Sequence, residues 1–223
     1  MGPGTRGLVC TTALLCVGAA CGAPTPGPQI APAPRQPEAP VPSVSAGTTP
    51  SAEDLGVAVG DLHQVDWDGA PVPPGFCGIP TVTRLSGGMA SSTSGTWGPV
   101  RAWVERVDLG DLLGDDADEA ALDVYCDNGG GTASSILEYG IVVYGTRAGE
   151  LVSLGVLTAQ VQDAGQLPTS LSVTEWGQHA LVVTEYYYRP TDATCCPSGV
   201  AETTWTWTSE EGVPSPGAPH VLQ

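Results

Sequence analysis

The sequence predicts a mainly β domain, an antiparallel sandwich or curved sheet with little helix, preceded by a disordered Pro-rich linker. Three observations predict it. Apolar residues alternate with period two and lack helical spacing. Short turn-forming clusters separate these runs, which favours antiparallel pairing because a parallel crossover needs about a dozen residues or more. Gly and Pro supply 30 and 21 of the 223 residues, which favours turns over long helices.

The alternation identifies the strands in order. In the first run Val100, Ala102 and Val104 share one face. The next run divides its side chains between two faces, Ala120, Leu122, Val124 and Cys126 on one and Ala121, Asp123 and Tyr125 on the other. Further β-rich runs are Tyr139–Tyr144, Leu151–Leu157, Leu171–Trp176, Ala180–Tyr188 and Ala201–Thr208. Only Ser51–Leu62 is compatible with a helical turn, with Ser51 as its cap.

Residues 1–20 have the form of a lipoprotein signal peptide. Arg6 makes the start positive, Leu8–Ala20 is an apolar run of thirteen residues, and Gly18-Ala19-Ala20 leads into Cys21. As a helix this run covers about 20 Å, less than the roughly 30 Å of a bilayer core. Small residues ending at a Cys resemble the bacterial lipobox, which implies lipidation of Cys21. The alternative is an ordinary secretory peptide that contains Cys21.

Residues 21–51 are predicted to be the lipidated Cys and an extended spacer. Gly22–Pro50 contains nine prolines and almost no large apolar residues, so it cannot bury enough surface to offset its ordering entropy. The alternative is a proline-rich ligand for a partner domain. The β domain is then expected over 52–211, with a flexible Pro/Gly-rich tail at 212–223.

The net charge limits the classes of partner that the chain is expected to bind. Seven basic residues, all Arg, stand against 24 acidic ones, for a net charge of −17. Nucleic acid and anionic lipid both need a basic face, so neither is an expected partner. The membrane is expected as a partner only through the lipid anchor, on the extracytoplasmic side.

Four cysteines remain in the predicted β domain, Cys77, Cys126, Cys195 and Cys196. An even number in an exported chain indicates disulfides, and the spacing fits no zinc pattern even with His63 and His179. Three pairings are possible. We favour Cys77–Cys126, with Cys195 and Cys196 joined or held as a labile dithiol, although adjacent Cα atoms are closer than disulfides usually allow.

An acidic hairpin is the one candidate metal site. Nine of the 24 acidic residues fall between Glu105 and Asp127. The weak candidates for calcium ligands are Asp111, Asp115, Asp116 and Asp118. Their spacing departs from known calcium loops, and a solvated turn that blocks edge pairing explains the charge equally well. We therefore expect no metal and no cofactor.

The sequence contains no catalytic motif: there is no G-x-S-x-G, no H-E-x-x-H and no P-loop. We expect a protein that is not an enzyme. The alternative is an envelope hydrolase that cleaves sugars with paired carboxylates, which a buried acid pair of raised pKa in a cleft would favour.

Aromatic residues concentrate in the last strands, at Trp176, Tyr186, Tyr187, Tyr188, Trp205 and Trp207. Facing outward they would form a platform for sugar or partner binding; facing inward they are core. Because the chain has a single Phe, we expect them to be core.

Three stretches resemble the LppP/LprE family of actinobacterial lipoproteins. They are the acidic hairpin Val107–Ala120, the strand ending at Cys126, and Asp192–Ser198 with its Cys-Cys-Pro-Ser run before a Trp-rich strand. The resemblance implies a membrane-tethered envelope protein without established catalysis. We expect display or binding at the outer face of the membrane; a calcium- or carbohydrate-binding module is a further alternative.

Overall fold

The computed structural model describes residues 55, 59–130, 135–161, 167–208 and 213–222. These ranges contain twelve strands, namely β1 (Pro71–Val72), β2 (Thr83–Arg84), β3 (Met89–Ser94), β4 (Gly98–Gly110), β5 (Glu119–Asp127), β6 (Ile136–Arg147), β7 (Glu150–Leu157), β8 (Ser170–Gly177), β9 (Ala180–Tyr187), β10 (Gly199–Thr206), β11 (Ser215–Pro216) and β12 (His220–Leu222). Short 3-10 turns within them lie at Leu62–Gln64, Trp67–Gly69 and Phe76–Gly78, and Leu55 is also helical.

The strands form two five-stranded antiparallel sheets and the small β1–β2 pair. The first sheet is a curled meander in the order β3-β4-β5-β6-β7. The second has the order β11-β10-β9-β8, and β12 also pairs with β10. Every connection between neighbouring long strands is short, so antiparallel pairing follows. The predicted fold class is confirmed.

Two apolar clusters cover the two faces of the first sheet. On one face, alternate β5 residues, among them Leu122 and Val124, pack with the segment 55–85. On the other face, Ala121, Ile141 and Val143 pack against the second sheet, which contributes residues such as Leu181 and Trp205. The first sheet is therefore the middle layer of the domain, and the predicted alternation of β5 reflects its two buried faces.

Two disulfides are present. Cys77 and Cys126 are both fully buried, with Cα atoms 6.3 Å apart, and they join the Phe76–Gly78 turn to β5. The exposed pair Cys195–Cys196 lies in the β9–β10 connection, with Cα atoms 3.8 Å apart. The Cys77–Cys126 pair is the one that we favoured from the sequence, and of the two states left open for Cys195 and Cys196 the structure has the disulfide.

The C-terminal segment differs from the expected flexible tail. Ser215 pairs with Thr206, and His220–Leu222 pairs with Val200–Glu202. The exposed backbone edge of β10 supplies the hydrogen-bonding partners, and this edge overrides the weak strand tendency of a Pro/Gly-rich sequence.

The N-terminal predictions fall largely outside the described residues. The signal peptide, Cys21 and the linker all lie there, as does most of the expected turn at Ser51–Leu62. Within that expected turn, Leu55 is described and is helical. A 3-10 turn begins at Leu62, and the Asp61 side chain caps it by accepting from the His63 backbone N–H at 2.9 Å. Over the described ranges, no helix is both long and apolar enough to span a bilayer.

Candidate functional site

A groove of about 380 Å³ lies where the free edge of the second sheet meets the first sheet. Its floor and one wall come from β4, β5 and β6, and its other wall comes from β8 and β9. The lining residues are Glu105, Arg106, Asp123, Tyr139, Ser170, Leu171, Ser172 and Tyr186. We call it the Asp123 groove, because the buried carboxylate of Asp123 distinguishes it.

A β-bulge in β4 places the charged residues of the groove. Val104 pairs with Val124 and Arg106 pairs with Asp123, so Glu105 is an extra residue without a partner in β5. The extra residue reverses which side chains face the first core cluster. Beyond it Val107 and Leu109 pack on that cluster, while Arg106 turns to the face of β5 that carries Asp123.

Arg106 connects the two sheets through ion pairs and a hydrogen bond. Its Nη2 lies 3.0 Å from Asp123 Oδ2 and donates to Ser172 Oγ at 2.8 Å. Its Nε lies 2.9 Å from Asp108 Oδ2. One guanidinium therefore contacts two carboxylates of the first sheet and a hydroxyl of β8, and it uses most of its donors in doing so.

Asp123 retains a free oxygen. Its side chain is only 9% exposed, and its buried Oδ1 has no hydrogen-bond partner among the described residues. Burial raises the pKa of Asp123 to about 7; Arg106 opposes this, while Asp108 and Glu105 add to it. A buried acceptor without a partner costs free energy, so its presence calls for an explanation beyond stability.

Four other buried or half-buried carboxylates have a structural role that Asp123 lacks. Each accepts from backbone N–H groups and thereby fixes a loop: Glu119 from Leu112 and Leu113, Asp127 from Gly129, Glu138 from Cys77, and Glu185 from Gln160 and Val161. Asp123 lies in the middle of a strand, and the contact it makes is with the Arg106 side chain. This contrast identifies Asp123 as the functional candidate of the set.

An aromatic strip extends from the groove along the first sheet. Trp103, Tyr125 and Tyr139 are direct neighbours across β4, β5 and β6. Ring centroids are 6.3 Å apart for Trp103 and Tyr125, and 5.7 Å apart for Tyr125 and Tyr139. Burial raises the pKa of Tyr139 to about 12, so its hydroxyl stays protonated and can donate a hydrogen bond into the groove.

The predicted acidic hairpin is present between β4 and β5, but its carboxylates do not converge. Asp111 Oδ1 accepts from the Gly114 backbone at 2.6 Å, Asp115 Oδ1 accepts from the Ala117 backbone at 3.1 Å, and Asp118 Oδ2 lies 2.8 Å from His63 Nε2. Asp116 has a positive φ of 66° in the turn. These weak candidates for calcium ligands therefore mainly stabilise the conformation of the loop.

One group of three metal-ligand atoms occurs within the described ranges, at Cys77, Cys126 and Glu138. The two cysteines form a disulfide, so neither offers a thiolate, and Glu138 accepts from the Cys77 backbone N–H at 3.0 Å. The disulfide and the Glu138 hydrogen bond therefore link the Phe76–Gly78 turn to β5 and β6, and their role is structural.

The C-terminal aromatics divide between core and groove. Tyr187, Trp205 and Trp207 are buried, as we expected, and Trp207 Nε1 donates to the Leu154 carbonyl at 3.1 Å. Trp176 is partly buried against the core between the sheets. Tyr186 is 40% exposed and lines the groove, so for this residue the expectation of core was wrong. It is on the outer face of β9, opposite Ser170 of the edge strand.

The sequence contains a signal for this site that we did not use. The apolar positions change from even numbers at Val100–Val104 to odd numbers at Val107 and Leu109, which is the mark of a bulge at Glu105. Asp123 is also the one charged residue in the interior of β5, between Glu119 and Asp127 at its ends.

Comparison of the chain with known protein families, with curated proteins and with solved structures finds no match.

Proposed function

We propose that this chain is a lipid-anchored lipoprotein of the cell envelope that binds a ligand in the Asp123 groove and performs no catalysis. The signal peptide with Cys21, the Pro-rich spacer and the resemblance to LppP/LprE lipoproteins support the location. The observation that carries the binding function is the Asp123 carboxylate, which lines the groove and whose buried Oδ1 has no hydrogen-bond partner among the described residues. A ligand donor would satisfy this oxygen.

The groove supports binding better than sugar hydrolysis. Glycosidases place two carboxyl groups on either side of the scissile bond, and the environments of the two groups separate their pKa values. Asp123 meets one half of this condition, since its pKa is raised to about 7. Glu105, the other carboxylate that lines the groove, is exposed on the bulge, and Asp123 is held by Arg106. A binding role needs only one buried acceptor, here Asp123 Oδ1, to which a ligand can donate a hydrogen bond.

The anchor is tested by the Cys21→Ser variant. Two or more acyl chains hold a protein firmly on a membrane, so loss of the thiol that carries them is expected to release the chain from the membrane fraction or leave it unprocessed. Fractionation followed by intact-mass measurement checks this result. A mature-length variant that is still acylated and still in the membrane fraction would contradict the proposed anchor.

The groove is tested by a photo-crosslinking residue in place of Tyr186, in the full chain within living cells. Tyr186 lies at the groove and is exposed, so a bound ligand is expected to give a defined covalent adduct there. The control is the same residue in place of Val221, which is 47% exposed in β12 and lines no part of the groove.

The adduct at position 186 should be lost when Asp123→Asn is added, since that change replaces the carboxylate by a neutral amide with one acceptor oxygen. Mass spectrometry of the gel-purified adducts checks both results. Equal adducts at both positions, or an adduct at position 186 that persists with Asp123→Asn, would refute binding at the Asp123 groove.

A further inference from the structure

We propose that the ligand of the Asp123 groove presents an organic cation, a primary ammonium group, to the free Oδ1 of Asp123. This inference rests on the proposed function and specifies the ligand chemistry of the same site. It follows from the charges that line the groove, from the hydrogen-bonding capacity of the free oxygen, and from the arrangement of the neighbouring carboxylates.

The charge of the groove favours a cation. Glu105 and Asp123 line it, Asp108 stands beside them, and Arg106 is the one basic residue in its lining. Both carboxylates that Arg106 contacts already compete for its single charge, at 2.9 Å and 3.0 Å. An anionic ligand would meet uncompensated carboxylates at short range, whereas a cation would be attracted by them.

The free oxygen requires a donor. Asp123 Oδ1 is a buried acceptor without a partner, and an ammonium group carries three N–H donors and no acceptor. The groove also supplies the hydroxyls of Ser170 and Ser172 and the rings of Tyr139 and Tyr186. Hydroxyl oxygens can accept the remaining N–H groups, and aromatic faces attract cations.

The rim of the groove allows access to the buried oxygen. Tyr186 is 40% exposed, so its side chain can change rotamer at little cost in packing. This movement is the route by which a ligand ammonium reaches Asp123 while Arg106 keeps its contact with Asp108.

The arrangement of the carboxylates favours an organic cation over a metal ion. Over the described parts of the chain, the one set of three closely grouped metal-ligand atoms is at Cys77, Cys126 and Glu138, and its cysteines belong to the core cluster on the opposite face of the first sheet from Asp123. Calcium needs six or more oxygen ligands around one point. An ammonium needs only one charged acceptor and a polar or aromatic surround.

Two pairs of probes test the inference on the full chain in detergent. Nα-acetyl-lysine amide and glucosamine each present an ammonium, one on an aliphatic chain and one on a sugar. Nα-acetyl-norleucine amide and glucose are their neutral counterparts. The measurement is the saturable shift of the backbone amide NMR signals of Asp123, Tyr139 and Ser172.

At least one ammonium probe is expected to bind about tenfold or more tightly than its neutral counterpart, since a charge-assisted hydrogen bond is lost in the latter. The tighter of the two ammonium probes identifies the source of the cation. Asp123→Asn should remove this preference, while Glu150→Gln, which removes an exposed carboxylate at the start of β7, should leave it unchanged.

The dependence of binding on pH gives a second readout. A cation favours ionised Asp123, whose pKa is raised to about 7, so the affinity for the lysine probe should rise about tenfold between about pH 6 and about pH 8. The charged and titratable groups around Asp123 are Glu105, Arg106 and Asp108 on β4, Tyr139 on β6 and Tyr186 on β9. Tyr139 stays neutral over this range, since its pKa is raised to about 12.

The failure of this inference is distinct from failure of the proposed function. Neutral probes that bind as tightly as ammonium probes, or no binding by any probe while the Tyr186 adduct persists, would overturn the ammonium ligand and leave the binding function in place. Absence of the adduct at position 186 would overturn the binding function itself.

Discussion

Replacing Cys77 and Cys126 by alanine is expected to lower the free energy of unfolding by about 4 kcal/mol. The disulfide joins residues 49 positions apart, and a closed loop of that length restricts the unfolded chain by about this amount. Both cysteines are also fully buried in the first core cluster, so their loss opens space there. Urea titrations followed by tryptophan fluorescence measure the change.

The control is the double change of Cys195 and Cys196 to serine. These residues are adjacent and exposed, so their disulfide closes almost no loop, and its removal should cost less than about 1 kcal/mol. Unfolding of the wild-type chain in a reducing agent gives an independent measurement that keeps the sulfur atoms. Equal losses for the two double variants would show that the Cys77–Cys126 bond does not anchor the fold.

The sheet structure was predictable because its signal is local. Period-two alternation in β8 and β10 reflects one buried and one exposed face, and β5 is buried on both faces. Each strand contains its pattern within itself. The strands that we missed, β1, β2, β3, β11 and β12, have little pattern of their own. Ser215–Pro216 and His220–Leu222 are two and three residues long, and they are ordered by the edge of β10, which is distant in sequence.

The Asp123 groove was not predicted, because its geometry depends on residues far apart in sequence. Asp123 was placed on the opposite face of its strand from the apolar residues, which is correct. Its ion-pair partner is Arg106, and the side chain of Arg106 is in turn oriented by the bulge at Glu105. Ser172, the hydroxyl that Arg106 reaches, lies 66 residues further along the chain on the second sheet. Only the packing of the two sheets brings these groups together.

The aromatic residues also show which features follow from the pattern within one strand and which depend on the packing of distant strands. Tyr186 and Tyr187 are neighbours in one strand, and alternation predicts that they face opposite sides of the sheet. The structure buries Tyr187 and exposes Tyr186, and the position of the free edge strand decides that the exposed one lines a groove. Composition alone therefore could not separate the core aromatics from the one at the site.

The Asp123→Asn variant is expected to become more stable relative to the wild type as pH rises. Burial raises the pKa of Asp123 from 3.8 to about 7. The contribution of Asp123 to the stability of the wild type is therefore fully present below about pH 4 and is lost as pH rises through about 7. The full loss is about 4 kcal/mol, of which roughly 2 to 3 kcal/mol falls between about pH 5 and about pH 8. Asparagine does not titrate, so the variant avoids this loss.

Asp127→Asn, on the same strand, is the matched contrast and should behave in the opposite way. Burial by itself raises the pKa of Asp127, but hydrogen bonds from Arg101, Gly129 and Trp103 outweigh it and hold that pKa below its ordinary value. Its stabilisation is present above the ordinary pKa and is lost as pH falls, so Asp127→Asn should cost about 1 to 3 kcal/mol at neutral pH and less in acid. Urea midpoints of both variants and the wild type, measured over the same pH series, check the two signs. If both variants destabilise the protein to the same degree at every pH, Asp123 is a structural carboxylate like its neighbour, and the groove loses the buried free acceptor on which its binding role depends.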